Sequence, residues 1–308
     1  MTVMFHSTLD DPAEWVPRLQ ALLPDEDIRV WPEIGDPASV EVAVVWIPPE
    51  EGLVSFTGLR AVQSLGAGIN QLGMHGFPPG VRVARLVDSG LTGMMTEYAL
   101  LAALRYARNI DFHERAQRAS TWDYVMPAGV GAFTVGVMGL GVIGSATALR
   151  LAANGFPVRG WARSAKSLDG VACFSGEAGL PEFLGGTQIL INLLPLTPQT
   201  ENILDAKLFA MLPKGAFVVN IGRGAHLMDA DLLAALDSGH LAGATLDVFR
   251  PEPLPSEHPF WLHPRILMTP HCAGTGDPDS AAKLVAENIR RAKAGEPLLN
   301  EVDRARGY

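Results

Sequence analysis

Residues 134–151 read TVGVMGLGVIGSATALRL, and this stretch decides the fold. An apolar run of strand length, TVGVM, leads straight into Gly139, Leu140, Gly141, Val142, Ile143 and Gly144, and an apolar helical pattern follows. GxGxxG alone is a weak signal, but between a strand and a helix it has a physical reason. Glycines let the main chain turn sharply and approach a pyrophosphate, which the unsatisfied N–H groups of the helix N-terminus then face. A glycine-rich turn without a ligand is the competing reading of the same residues. The next strand candidate, PVRGW, is followed by Arg163, Ser164 and Lys166, where an NAD site usually carries an acidic residue for the ribose 2′-hydroxyl. A carboxylate repels a 2′-phosphate, whereas Arg and Ser donate hydrogen bonds to it. NADP is therefore the expected cofactor, with NADPH preferred and NAD possible; a solvated polar turn is the alternative.

Working outward, short β-rich runs alternate with helix-like segments in both directions. Before the glycine turn stand TVMFHS, IRVW, VAVVWI, AVQSL and RVARL, with PAEWVPRLQALL placing Trp15, Leu19 and Leu22 on one helical face. After it stand PVRGW, QILINLL, AFVVNIG, ATLDVF and RILMTP, with DADLLAALDSGH offering Asp229 as an N-cap and Gly239 as a stop. A long helical pattern from about Met94 to Ala119 separates the two series. The fold class is α/β with parallel sheets in two domains. Periodicity does not say which domain takes the final helix, AAKLVAENIRRAKAG.

The chain has 308 residues, 48% of them hydrophobic and 19% charged, enough for about two buried cores. Its formal charge of -9 excludes a sequence-independent nucleic-acid binder, which needs concentrated positive charge. Cys173 and Cys272 form neither a disulfide framework nor a metal knuckle, and His258 and His263 lack the helical spacing of a metal pair, so no metal is expected. The N-terminus has no basic start or apolar signal core and no apolar run approaches a membrane span, which predicts a cytoplasmic protein that avoids the bilayer.

Two further stretches assemble a site. They are NIGRGAHLMDADLLAALDSGHLAGATLDVFRPEPLP at 220–255 and TPHCAG at 269–274. Together with WIPP, LGAG, LPLTPQT and the terminal VDRARGY, they make the chain resemble the D-isomer-specific 2-hydroxyacid dehydrogenases, and within them the glyoxylate/hydroxypyruvate reductase A group. The resemblance implies a flavodoxin-like substrate domain from 1–97 and 277–308, a Rossmann NADP-binding domain from 98–276, a cleft for cofactor and substrate, and a homodimer.

It also implies roles. Arg223, in the RG motif, binds the carboxylate of a 2-oxo acid and polarises its carbonyl, as a planar fork of donors suits. Glu252, in the EP motif, orients His271 and favours its imidazolium, leaving a proton donor near neutral pH. Gly66, Ala67 and Gly68 offer main-chain N–H groups to the substrate carboxylate, and Trp46 either walls the substrate or belongs to the core. Leu194, Pro195, Ile221, Gly222, Asp247 and Gly274 join Arg223 and His271 along the cofactor. Asn70, Gly274 and Thr275 depart from the residues common in the family. Adjacent residues of an extended chain point to opposite sides, which turns Cys272 away from His271 and makes it a small packing residue.

The implied reaction is NADPH-dependent reduction of a small 2-oxo acid, glyoxylate to glycolate or hydroxypyruvate to D-glycerate. Two alternatives stand beside it: a reductase for a bulkier acid such as phenylpyruvate, and a non-catalytic cofactor-sensing protein on the same fold.

Overall fold

The five strand candidates before the long helix pair as one parallel sheet. They are β1 (Thr2–His6), β2 (Asp27–Val30), β3 (Val40–Val45), β4 (Ala61–Ser64) and β5 (Arg82–Ala84), in the order β2-β1-β3-β4-β5. That is the flavodoxin-like order. Alternation sends Val3, Phe5, Val42 and Val44 to one face, where they meet Trp15 and Leu19 of α1 (Pro12–Leu22) and Val285 and Ile289 of α8 (Pro278–Ala294). The opposite face, with Met4, Ala43, Val45 and Val62, is covered by Ile34, Leu53, Phe56, Leu72 and Phe77. Those residues lie in turns and 3₁₀ segments, so this sheet has helices on one side and irregular chain on the other.

A second parallel sheet contains β6 (Val135–Met138), β7 (Val158–Ala162), β8 (Val171–Ser175), β9 (Ile189–Asn192), β10 (Ala216–Asn220), β11 (Leu241–Leu246) and β12 (Ile266–Met268). Its order, β12-β11-β10-β9-β6-β7-β8, reverses direction at β6, which is the doubly wound arrangement with one added edge strand. Ligands of such sheets bind beyond the strand C-termini at the reversal, and there the glycine turn stands. The central strands β6 and β9 are wholly buried, as a sheet covered on both faces requires. The edge strand β8, VACFS, is only half-buried, and its weak apolar pattern gave no strand signal in the sequence.

The structure is a computed structural model that describes residues 1–73, 76–78, 80–274 and 277–303. Thr275 and the last five residues of the VDRARGY terminus lie outside them. Two compact units result, Met1–Leu91 with Thr275–Tyr308, and Thr92–Gly274. The helical stretch expected from Met94 to Ala119 is two helices, α2 (Ser89–Ala107) and α3 (Ile110–Arg118). Asn109 adopts a left-handed φ of 55° between them, and a conformation that Asn tolerates ends the first helix. The remaining helices are α4 (Val142–Ala153), α5 (Gly176–Gly185), α6 (Ala206–Met211) and α7 (Asp229–Asp237). Met228, rather than Asp229, is the N-cap of α7; Asp229 is its first residue and sits 3.4 Å from His258 Nε2. Gly239 closes that helix with φ +70°, as its sequence position predicts. No helix among the described residues is long and apolar enough to cross a membrane.

Candidate functional site

In the unit of the five-stranded sheet, β4 ends at Ser64 and turns through 66–68. Ser64 Oγ accepts the Gly66 N–H at 3.1 Å, and Gln71 Nε2 donates to the Gly68 carbonyl at 3.0 Å. The expectation that all three N–H groups face an anion is thereby narrowed: Gly66 spends its own on Ser64. Ala67 and Gly68 keep N–H groups without a protein acceptor among the described residues. Trp46 lies against this turn, because a Cβ on Gly66 would stand 2.3 Å from the indole Cζ3. Only glycine permits that approach. The indole is half-buried and also packs on the core. Asn70, exposed, opens a 3₁₀ turn, Asn70–Leu72, that buries Leu72.

In the other unit, Gly139 leaves β6 at φ +99°, and a Cβ there would meet the Leu193 carbonyl at 2.8 Å. At Gly144 a Cβ would stand 1.7 Å from the Gly139 carbonyl, so the turn closes on itself only without side chains. Gly141, the N-cap of α4, has nothing within 4 Å of its Cβ position, and Val142 beside it is exposed. Leu140 is buried against Gly160, while Ile143 is half-buried. An exposed helix N-terminus over a turn that carries glycine at 139, 141 and 144 fits a pyrophosphate. Arg163, Ser164 and Lys166 follow β7 and are exposed. The Trp161 indole N–H, donating to the Gly176 carbonyl at 2.9 Å, ties the strand that carries them to the start of α5.

Beyond β9, the turn with Leu194 and Pro195 is fixed by Thr200, whose hydroxyl donates to the Pro195 carbonyl at 2.7 Å. Beyond β10, the loop with Ile221, Gly222 and Arg223 is fixed by buried amides. Asn192 Nδ2 donates to Asn220 Oδ1 at 3.0 Å, and Asn220 Nδ2 donates to the Arg223 carbonyl at 3.0 Å. The Arg223 guanidinium donates to the Gly222 carbonyl at 2.8 Å. Burial lowers its pKa, and the charge of Glu252 opposes that shift.

Gly224 packs so closely on Phe249 that a Cβ would stand 2.0 Å from the Phe249 carbonyl carbon. Phe249 N–H in turn donates to Glu252 Oε1 at 2.7 Å, and Glu252 Oε2 stands 2.6 Å from His271 Nδ1. One short chain of contacts therefore sets the arginine loop, the carboxylate and the imidazole in register. Desolvation pushes the Glu252 pKa up, but the hydrogen bonds from His271 and Phe249 and the nearby positive charges outweigh it, holding the carboxyl below its ordinary range.

Asp247, 1% exposed, builds the loop that presents His271. Its carbonyl accepts the His271 N–H at 2.8 Å, and its carboxylate accepts Cys272 N–H, Ala273 N–H and the Thr269 hydroxyl at 2.9, 2.9 and 2.5 Å. Thr269 also pairs with the Tyr98 hydroxyl at 2.6 Å, and burial pushes that phenol up to about 12. These bonds hold His271 at a left-handed φ of 53°, a conformation that costs a non-glycine residue about 1–2 kcal/mol. The premise of an extended TPHCAG chain is thus corrected, and Cys272 is exposed rather than packed. Partial desolvation at its loop and the Asp247 charge raise the Cys272 pKa, so it is not an activated thiol. Gly274, half-buried, ends the described part of the loop, and Thr275 falls outside it. His258 caps the 3₁₀ turn Pro259–Leu262, and His263 lies 3.4 Å from Asp237. Among the described residues no group of three or more His, Cys, Asp or Glu side chains is placed to hold a metal ion.

Sequence reasoning missed Ser64 and Gln71 under the first turn, and Asn192, Asn220, His226, Thr269 and Tyr98 around the second site. Each is a polar residue inside or beside an apolar run, and only the strand order brings them together.

A doubly wound sheet with a glycine turn at its reversal, and an Arg, Glu and His set on the neighbouring strand ends, define an oxidoreductase class. Residues 100–273 match the D-isomer specific 2-hydroxyacid dehydrogenase NAD binding domain, and the chain belongs to that family. Glyoxylate/hydroxypyruvate reductase A of Yersinia enterocolitica is 44% identical over 314 residues, covering 100% of both chains. The D-isomer specific 2-hydroxyacid dehydrogenase of Xanthobacter autotrophicus Py2, solved with NADPH and MES, superposes with a TM-score of 0.94 at 45% identity, covering 100% of this chain and 99% of that one. An NADPH-dependent glyoxylate/hydroxypyruvate reductase of Sinorhizobium meliloti, solved with NADP and sulfate, gives 0.92 at 36% identity over 100% and 99% of the two chains.

Proposed function

We propose that the protein reduces a small 2-oxo acid, glyoxylate or hydroxypyruvate, with NADPH, giving glycolate or D-glycerate. The observation that carries this reading is the Glu252 carboxylate 2.6 Å from His271 Nδ1, linked through Phe249 and Gly224 to the Arg223 loop. The names of the relatives in Yersinia and Sinorhizobium support the substrate class.

The unit Thr92–Gly274 takes the cofactor and carries Arg223, Glu252 and His271, and the unit Met1–Leu91 with Thr275–Tyr308 carries main-chain donors suited to a carboxylate. The turn 139–144 receives the pyrophosphate, Arg163, Ser164 and Lys166 the 2′-phosphate, and Leu194, Pro195, Ile221, Gly222 and Gly274 the ribose and nicotinamide side. Asp247 supports that side by shaping the His271 loop. When bound, NADPH supplies a hydride to the substrate carbonyl carbon. Arg223 binds the carboxylate and polarises the carbonyl with a delocalised charge that stays on at any working pH. Ala67 and Gly68 add main-chain donors for the carboxylate, with Gly66 giving room to Trp46. With Nδ1 engaged by Glu252, His271 delivers its proton from Nε2 to the carbonyl oxygen.

NADPH oxidation followed with glyoxylate, hydroxypyruvate and phenylpyruvate tests the reading. Turnover favouring the two small acids supports it, preference for phenylpyruvate moves it to the bulkier alternative, and no turnover with any of them favours a cofactor-sensing protein. The two unpaired cysteines and the NADPH requirement together suit a reducing cytoplasm.

A homodimer completes the proposal. An apolar groove of about 490 Å³ lies beside the edge strand β12, between Leu267 and the helix residues Leu101, Leu104 and Ile110. Leu101, which lines this groove, is 64% exposed, and Trp122, Tyr124 and Met126 are 101, 74 and 71% exposed. Light scattering on the purified protein should give twice the 32.9 kDa chain mass, and Leu101→Glu should weaken the association.

A further inference from the structure

The loop that carries Arg223 is held by a histidine that the reaction itself does not use. His226 is wholly buried, and its Nδ1 stands 3.1 Å from the Arg223 main-chain N–H and 2.9 Å from Asn192 Nδ2. A main-chain N–H is always a donor, so Nδ1 must be an acceptor and the ring proton must sit on Nε2. Asn192 fixes the same answer from the other side: its Oδ1 already accepts the Leu194 N–H at 3.3 Å, which turns its Nδ2 toward the imidazole. A Cβ on Gly222 would stand 3.1 Å from Nδ1 and 3.0 Å from Asn192 Nδ2, so the adjacent glycine leaves room for the contact.

We propose that His226 is a positioning residue for Arg223. Its neutral imidazole, protonated on Nε2, clamps the arginine's N–H and, through Asn192 and Leu194, ties that main chain to the turn that faces the cofactor. This rests on the assignment of Arg223 to the substrate. Asn220 holds the Arg223 carbonyl at 3.0 Å while His226 holds its N–H, so the peptide groups on both sides of the arginine Cα are fixed and with them the direction of its Cα–Cβ bond. Nε2 makes no well-aligned hydrogen bond among the described residues, and a main-chain hydrogen bond with Pro195 favours a proton on the ring. The charged neighbour is Arg223, which together with burial opposes a second proton, and the other polar neighbours, Asn192 and Asn220, are neutral amides. A protonated imidazole would turn Nδ1 into a donor facing two donors, and the clamp would open.

Two substitutions separate positioning from bulk packing. His226→Asn places an amide oxygen where Nδ1 stands, whereas His226→Gln carries its polar atoms to the Nε2 side and leaves the Arg223 N–H buried without an acceptor. Against the small 2-oxo acid, His226→Gln should lower kcat/KM by about tenfold to a hundredfold, the usual effect of one orphaned buried donor. His226→Asn should recover most of that loss, and both variants should bind NADPH within about threefold of the unsubstituted protein. Equal losses in the two variants, or NADPH affinity falling in parallel, would overturn the proposal. If the unsubstituted protein turns over no 2-oxo acid, the functional reading fails separately, and ¹⁵N NMR of the full chain still decides the clamp. A proton resident on Nε2 from pH 6 to 8, with Nδ1 bare, is the expected result. A proton on Nδ1, or titration of the ring in that range, would overturn it.

Discussion

The turn at 139–144 and the loop at 220–226 both leave the C-terminal end of a buried parallel strand, and they are shaped by opposite means. The first is shaped by missing side chains: a Cβ on Gly144 would stand 1.7 Å from the Gly139 carbonyl. The second is shaped by side chains that fill the space, since Asn192, Asn220 and His226 are all wholly buried and bond to one another or to the loop's main chain. A turn with glycine at its closest approaches suits a ligand recognised by main-chain N–H groups, whose own phosphates supply the acceptors. A loop braced by amides suits a guanidinium that must be aimed, because a charged group's value in a reaction depends on its direction. In the proposed reaction the first region serves cofactor affinity and the second the chemistry on substrate, so substitutions in the two should fail in different assays.

The largest expected effect comes from filling the first turn. Gly144→Val should abolish dinucleotide binding, because no rotamer relieves a main-chain clash of that depth, and calorimetric titration with NADPH should show no heat of binding. Retained affinity would mean that the turn opens more readily than its packing indicates.

Next comes the second loop's dependence on a neutral His226, whose pKa burial pushes down to about 4 from 6.5. The unfolded chain takes up this proton below pH 6.5 and the folded chain does not until about pH 4. The contribution to stability is therefore complete above pH 6.5 and is lost as pH falls toward 4, by about 3 kcal/mol. Urea unfolding of His226→Asn should lose less stability than the parent over that interval, and parallel curves would remove His226 from the account.

These two regions also differ in how far the sequence reveals them. GLGVIG is local: strand, turn and helix are contiguous, so spacing alone places Gly139, Gly141 and Gly144. The strands of both sheets were equally plain wherever apolar runs were buried, and the half-buried edge strand β8 was not. The break at Asn109 was hidden because the apolar pattern continues through it. Arg223, Glu252 and His271 came from motif resemblance, and their contacts required the fold. Asn192 and His226 lie 34 positions apart and meet only because β9 and β10 are neighbours. The backbone at His271 was misread because its left-handed turn depends on Asp247, which no local pattern announces.

A smaller effect sharpens the cofactor side of the comparison. If Arg163 holds the 2′-phosphate as proposed, Arg163→Ala removes one charge-assisted contact, about 1.5–3 kcal/mol, and should weaken NADPH by roughly tenfold to a hundredfold while sparing NADH. Equal loss for both cofactors, in paired fluorescence titrations, would break the assignment.

The smallest effect is on pH dependence. His271 and the Phe249 N–H hold the Glu252 carboxyl below its ordinary range, so at neutral pH a carboxylate faces His271 Nδ1. Glu252→Gln removes that charge and keeps a hydrogen-bonding neighbour. As pH falls through the lowered pKa of Glu252 the parent loses this carboxylate, so the acid limb it sets in a pH–rate profile should be absent from Glu252→Gln, and the same acid limb in both proteins would count against the pairing.

The account stands most directly on single-turnover oxidation of pre-bound NADPH by glyoxylate, compared between the unsubstituted protein, His271→Ala and Cys272→Ser. His271→Ala should bind NADPH as before and react more slowly by about 10² to 10⁴, the usual contribution of a positioned acid, while Cys272→Ser reacts at the parent rate. A His271→Ala protein that reacts normally, beside a Cys272→Ser protein that does not react, would contradict it.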